Sequence, residues 1–409
     1  MDQPGPSTDP NLDNDSYNSE NEMDDFDMND IELDRDDALF TFIGHEPDHE
    51  QESAAVYQLD YYKDLVISGG HDDHLRVWSV NNEGVNRGDS FNKQLFSVKF
   101  EDTVHQVGFN KCENLRNTFY AIDMAGNVKV FLVKDREELI KTTPDLDLPP
   151  ASPSSLKYDF ELIFETSIGL DVSWACWHPK ASCIFIGTEN TGEIYMFMIS
   201  SKIDKNYSLP PRIYISSGAN GGCRTTCYCW INDKNLLVGY ESGQVSNFSL
   251  KETTPTSTID NLDSSQKFHY ETSCMSLSND GNLVAVGRND GRVSILLVSN
   301  LEKIRVLHTI IVDETKFVEW DEEEEGENGP GGESMDDQGG ELPYRQMPQS
   351  IEAVEFQPES SRCLLACGCM NGSIVIYEMN RNQKFFKRSV LGGMGDEKML
   401  QRIILILKN

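Results

Sequence analysis

The chain opens Met1-Asp-Gln-Pro without the basic and apolar pattern of an export signal, and none of its apolar runs reaches the roughly eighteen residues that span a bilayer. An intracellular protein without membrane insertion is therefore expected, cytoplasmic in the first place with the nucleus left open. The triplets starting at Asn206, Asn247 and Asn371 then carry no glycan. Basic residues are scarce as well: 35 Lys and Arg face 68 Asp and Glu, a formal net charge of −33. A field of that sign repels phosphate backbones and anionic headgroups, so direct nucleic-acid binding is not expected, whereas basic proteins are attracted.

Signatures of catalysis are missing too. There is no Gly-x-Gly-x-x-Gly, no phosphate loop, no Gly-x-Ser-x-Gly and no His-Glu-x-x-His. The eight histidines are scattered, and His105 and His178 fall at a strand start and a strand end, where packing or turn roles suit them. Ten cysteines include the groupings Cys223/Cys227/Cys229, Cys363/Cys367/Cys369 and Cys176/Cys183, none with the Cys-x-x-Cys spacing of a zinc knuckle. Cys227 and Cys229, like Cys367 and Cys369, are two apart in a strand and share one face, as core residues do. No enzyme, metal or cofactor is expected.

What the sequence has in quantity is one recurring hairpin. In Asn235 to Leu250 an apolar run ends at Gly239, a short turn closes on Gly243, and a second run passes through Val245 to Phe248. The pattern returns around Gly69, Asp73 and Trp78, around Gly287, Gly291 and Val293, and around Gly368, Gly372 and Tyr377. Looser copies span Phe119 to Phe131, with Ile122 in place of the first Gly, and Cys183 to Phe197, with one extra residue between Gly187 and Gly192. A further strand precedes each hairpin: Ala55 to Leu59, Val104 to Phe109, Val172 to Trp177, Thr226 to Trp230, Cys274 to Leu277 and Ile351 to Phe356. A unit of three or four strands recurring about every fifty residues predicts an all-β propeller with one blade per unit. Six units are visible.

The units resemble degenerate WD repeats, although none ends in Trp-Asp: the positions read Trp78-Ser79, Phe131-Leu132, Phe197-Met198, Phe248-Ser249, Leu296-Leu297 and Tyr377-Glu378. The order Ser68-Gly-Gly-His-Asp-Asp-His-Leu-Arg-Val-Trp78, Trp174-Ala-Cys-Trp-His-Pro179, Val238-Gly-Tyr-Glu-Ser-Gly243 and Cys367-Gly-Cys-Met-Asn-Gly-Ser-Ile-Val-Ile-Tyr377 is similar to the angio-associated migratory cell protein family. That resemblance implies an eight-bladed propeller, from which this chain departs by ending soon after the sixth unit. It also implies two functions known in the family, chaperoning of a basic large-subunit ribosomal protein and a part in cell migration. The last segment, Leu400 to Asn409, reads as an apolar strand without its hairpin, so a shortened C-terminus is expected.

Charge is unevenly spread. Residues 1 to 40 hold about fourteen acids against Arg35, and residues 313 to 341 about thirteen against Lys316, leaving roughly −8 for the rest. A disordered tail (1–38) and a disordered insertion at about 316–346 in a propeller domain (39–409) are expected, because such blocks bury too little apolar surface to fold. The hairpin turns carry carboxylates in five units: Asp72 with Asp73, Asp123, Glu189, Glu241 and Asp290. Equivalent turns gather at one end of a propeller, so these six residues are candidates for an acidic rim that binds Lys/Arg-rich segments; the conformational preference of Asp for turns explains them equally. The expected function is a monomeric, non-enzymatic interaction protein with a basic client, which the resemblance narrows to a large-subunit ribosomal protein. A signalling or cell-migration scaffold is the alternative.

Overall fold

A computed structural model describes residues 55–80, 93–112, 117–135, 157–199, 210–215, 223–260, 262, 270–312, 349–357, 363–380 and 384–391. The acidic tail, the insertion and the C-terminal segment considered above lie outside these residues. Among the described residues twenty-four strands form six four-stranded antiparallel sheets, each in simple chain order. The first is β1 (Val56–Tyr62), β2 (Leu65–Gly70), β3 (His74–Ser79) and β4 (Lys93–Lys99), and the second is β5 (Val104–Phe109), β6 (Thr118–Asp123), β7 (Asn127–Asp135) and β8 (Tyr158–Ser167). The third is β9 (Val172–Trp177), β10 (Cys183–Thr188), β11 (Glu193–Met198) and β12 (Arg212–Ile215), and the fourth is β13 (Thr225–Asn232), β14 (Asn235–Tyr240), β15 (Val245–Ser249) and β16 (Pro255–Ile259). The fifth is β17 (Thr272–Leu277), β18 (Leu283–Arg288), β19 (Arg292–Leu297) and β20 (Arg305–Ile311), and the sixth is β21 (Ile351–Phe356), β22 (Leu364–Cys369), β23 (Ile374–Met379) and β24 (Phe385–Leu391).

The first three strands of every sheet were legible as a strand plus hairpin, whereas the fourth was not. Outer strands such as β16 and β20 are made of half-buried and exposed residues only, with no fully buried side chain to mark them. The first strand of each sheet packs on the first strand of the next. Among the described residues five core clusters are accordingly each shared by two successive sheets, as where Leu65, Ile67 and Val77 of the first meet Val107, Phe109 and Phe119 of the second, and a small sixth around Ala366 and Ile374 lies within the sixth sheet. On β1 the counterparts of Val107 and Phe109, Leu59 and Tyr61, are 53 % and 52 % exposed, because among the described residues no sheet precedes the first.

Two glycines of the repeated hairpin have different reasons to be there. The first stands where the next sheet approaches: a Cβ on Gly69 would lie 2.6 Å from the Val104 carbonyl oxygen, and one on Gly239 would lie 2.3 Å from Thr272 Oγ1. The second occupies the left-handed region that closes the turn, with φ of 76° at Gly243, 76° at Gly291 and 78° at Gly372. In the first sheet Asp73 holds that place at φ 59°. Replacing Asp73 with Gly is expected to raise stability by about 0.5–1 kcal/mol, read as a higher urea midpoint with an unchanged m-value.

A second repeated device ties neighbours together. All six first strands shift register near their start, a bulge falling at Tyr57, His105, Ser173, Thr226, Ser273 and Glu352. The bulged side chains reach the following sheet: His105 Nε2 to the Val172 carbonyl at 2.7 Å, Ser173 to Thr225 at 2.8 Å, Thr226 to Thr272 at 2.8 Å, and Ser273 to the Ile351 carbonyl. His105 and His178 are thus packing residues. His178 is buried, its Nδ1 accepting from the amides of Lys180 and Ala181 and its Nε2 donating to the Asp233 carbonyl. Cys227 and Cys229 share a face turned to the fifth sheet, and burial pushes their thiols up to about 11 and about 12.

Candidate functional site: an acidic end of the propeller

Because every sheet runs in the same order, the turns between second and third strands lie at one end of the stack, together with the connections that enter each first strand. The backbone shows it directly. The first residue of each turn, namely His71, Met124, Glu189, Glu241, Asn289 and Met370, donates its N–H to the carbonyl just before or at the start of the first strand, at 2.9–3.1 Å. Those acceptors are Ala55, Thr103, Asp171, Arg224, Glu271 and Ser350. The six carboxylates singled out in the sequence do reach this end, but they occupy different places in the turn and do not act alike.

Asp72 and Asp290 sit at the second turn position, where a side-chain oxygen accepts the N–H two residues on, from His74 and Arg292 at 3.3 Å each. Ser242 and Asn371 do the same to Gln244 and Ser373, which identifies the position as an Asx-type turn with a conformational demand for a short acceptor. Asp72 also pairs with Arg76 at 2.5 Å. Asp290 is fully buried beside Arg288 at 2.7 Å, and burial raises its pKa in spite of the two neighbouring guanidiniums. Asp123 is the last residue of β6, fully buried, and accepts the amide and the side-chain N–H of Asn127 at 2.7 and 2.8 Å. The expectation of a rim built from all six therefore needs correction: Asp123 and Asp290 have no surface to offer a partner, because the turn and its own cations consume them. Asp73 is half-buried and supplies the left-handed residue.

Glu189 and Glu241 remain. They share the outermost turn position in adjacent sheets; Glu189 is half-buried and Glu241 exposed. Beside Glu241, Arg224 lies 4.0 Å from its carboxylate and 2.6 Å from that of Glu271. Burial raises the pKa of Glu271, an effect that Arg224 opposes. Sequence reasoning missed the acids of the incoming connections: Glu101, Asp102 and Asp171 are exposed, and so is Glu352 at the bulge of β21. A signal was available, since Asp102, Asp171 and Glu271 stand one or two residues ahead of a first strand. The opposite end is different. There Lys63, Lys111, Lys180 and Lys234 each stand exposed in the turn between first and second strands of the first four sheets. Lys111 and Lys180 have only loose ion pairs, at 3.7 Å to Asp60 and 3.5 Å to Asp233.

The WD domain, G-beta repeat model matches residues 37–79. Angio-associated migratory cell protein of dog is 25 % identical over 350 residues, and the human protein 24 % over 349, each alignment covering 84 % of this chain. This chain is a WD-repeat β-propeller similar to angio-associated migratory cell protein. The chain spans 61 % of the length of those relatives. Among solved structures the propeller is similar to Sqt1 of Saccharomyces cerevisiae, with a TM-score of 0.57 at 15 % identity over 83 % of this chain and 76 % of that one. It is also similar to Chaetomium thermophilum Sqt1 bound to the N-terminus of the ribosomal protein L10, with a TM-score of 0.55 at 17 % identity over 83 % of this chain and 74 % of that one.

Proposed function

We propose that the acidic end of this propeller binds an extended Lys/Arg-rich protein segment, and that the chain escorts a basic ribosomal protein of the large subunit. The observation that carries the reading is the gathering of carboxylates: half-buried Glu189 and exposed Glu241, Asp102 and Asp171 stand at one end of the second, third and fourth sheets, while at the other end the turn between first and second strands presents an exposed lysine in each of the first four sheets. A basic segment laid across the acidic end meets one carboxylate per blade. Each such pair lies at the surface and contributes about 0.2–1 kcal/mol, so affinity is a sum over blades and association is steered by the overall negative field. Chaetomium thermophilum Sqt1, with the same fold, has been solved with the N-terminus of a ribosomal protein, which supports this client class. Similarity to angio-associated migratory cell protein supports the second reading, a scaffold in cell migration.

The test is binding of a Lys/Arg-rich peptide and of its Gln-substituted counterpart to wild type and to Glu189→Gln with Glu241→Gln. Losing these two surface pairs is expected to weaken binding of the basic peptide by about 2- to 30-fold at low salt. The difference should shrink as salt shortens the screening distance to roughly 8 Å. Equal binding by wild type and the double variant at every salt would remove the acidic end from the mechanism. Affinity purification from cells separates the client classes, a basic ribosomal protein for the escort and signalling or cytoskeletal proteins for the scaffold.

A further inference from the structure

The outermost turn position is not acidic all round. In the second sheet it holds Met124, 42 % exposed, followed by exposed Ala125. A large apolar side chain held at the tip of a rigid turn needs a reason, because nothing in the turn demands it: the Asx position is Ala125, and Gly126 supplies the positive φ of 81°. The tip is clamped on both sides. The Met124 amide donates to the Thr103 carbonyl at 3.0 Å, and the Ile168 amide donates to the Gly126 carbonyl at 3.0 Å. Gly126 lies so close to Leu170 that a Cβ there would stand 2.5 Å from its carbonyl oxygen. Half-buried Ile168 and Leu170 therefore border the tip, and carboxylates flank it: exposed Asp102 next to Thr103, and Asp171 next to Leu170. Asp171 in turn receives the Glu189 amide at 2.9 Å. Methionine is unbranched and polarisable and adapts to varied apolar partners.

We propose that Met124, with Ala125 and Leu170, is the apolar anchor of the acidic end, taking an aromatic or aliphatic side chain that the client carries directly beside Lys or Arg. The inference rests on the acidic-end reading and gives it a specificity. The carboxylates of Asp102, Asp171 and Glu189 engage the flanking cations and govern the rate of encounter, while the desolvated apolar contact governs the rate of release. Met370 holds the same turn position in the sixth sheet and is 65 % exposed, but the described residues there supply only Glu352 as a carboxylate.

Two peptides of equal charge decide the matter, one alternating Lys/Arg with Gln and one alternating Lys/Arg with Phe, each measured by dissociation rate. Wild type is expected to release the Phe peptide about tenfold more slowly. In Met124→Gln that preference should fall below about twofold while association rates of both peptides stay unchanged, and Met124→Leu should keep it. An unchanged melting temperature confirms that the exposed substitutions leave the fold intact. Equal release of the two peptides from wild type, or an undiminished preference in Met124→Gln, overturns the anchor while leaving the acidic end standing. Binding of neither peptide overturns both.

Discussion

Replacing Gly239 with valine is expected to be among the most damaging single changes in the propeller, lowering stability by about 3 kcal/mol. The reason is the approach of neighbouring sheets. A Cβ at this position would stand 2.3 Å from Thr272 Oγ1, 2.7 Å from Cys227 Sγ and 2.8 Å from Met275 Cε, so the fifth sheet must move away from the fourth. That movement would also part Thr226 from Thr272, whose hydroxyls meet at 2.8 Å across the same seam. The comparison is Gly281→Ala. Gly281 has φ 70° but open space around its Cβ position, so alanine there introduces only backbone strain, which lowers stability by about 1 kcal/mol. Urea unfolding of the two variants separates the effects; a Gly239→Val protein as stable as Gly281→Ala would show that the seam is slack.

His178→Ala should cost nearly as much, about 3 kcal/mol. The imidazole is only 5 % exposed and replaces a backbone ladder at the point where the third sheet turns from β9 to β10. Its Nδ1 accepts the Lys180 amide at 3.0 Å and the Ala181 amide at 2.8 Å, while Nε2 donates to the Asp233 carbonyl of the fourth sheet at 2.9 Å. Alanine leaves these groups without partners, each at about 1 kcal/mol or more, and removes an edge contact with Trp230 at 4.9 Å. His178→Gln retains part of the hydrogen bonding and should fall between the two. Because the ring joins two sheets, amide exchange in β9 and β13 should accelerate together in the alanine variant; acceleration confined to β9 would mean that the tie to Asp233 contributes nothing.

Local patterns in this chain were enough to specify the sheets. Alternating apolar residues, the glycines paired in four of the six hairpins and the strand ahead of each hairpin are short-range features that agree on one register, so Leu236 to Phe248 and its counterparts could be read directly. The fourth strands escaped because they are the outer layer, half-exposed, with little hydrophobic burial to leave a trace in the sequence. The acidic end divides in the same way. Composition and turn position were sufficient to place Glu189 and Glu241, since both depend only on where a turn falls. That Asp123 and Asp290 are withdrawn into the sheets depends on Asn127 and on Arg288 with Arg292 folding back on them, and a carboxylate in a turn looks the same in sequence whether it faces solvent or its own blade. Neither could the sequence place Asp102 and Asp171 beside Met124. Asp171 and Met124 are brought together by sheet order and by the clamp of Ile168 on Gly126, contacts between segments some forty residues apart that only the packed tertiary structure determines.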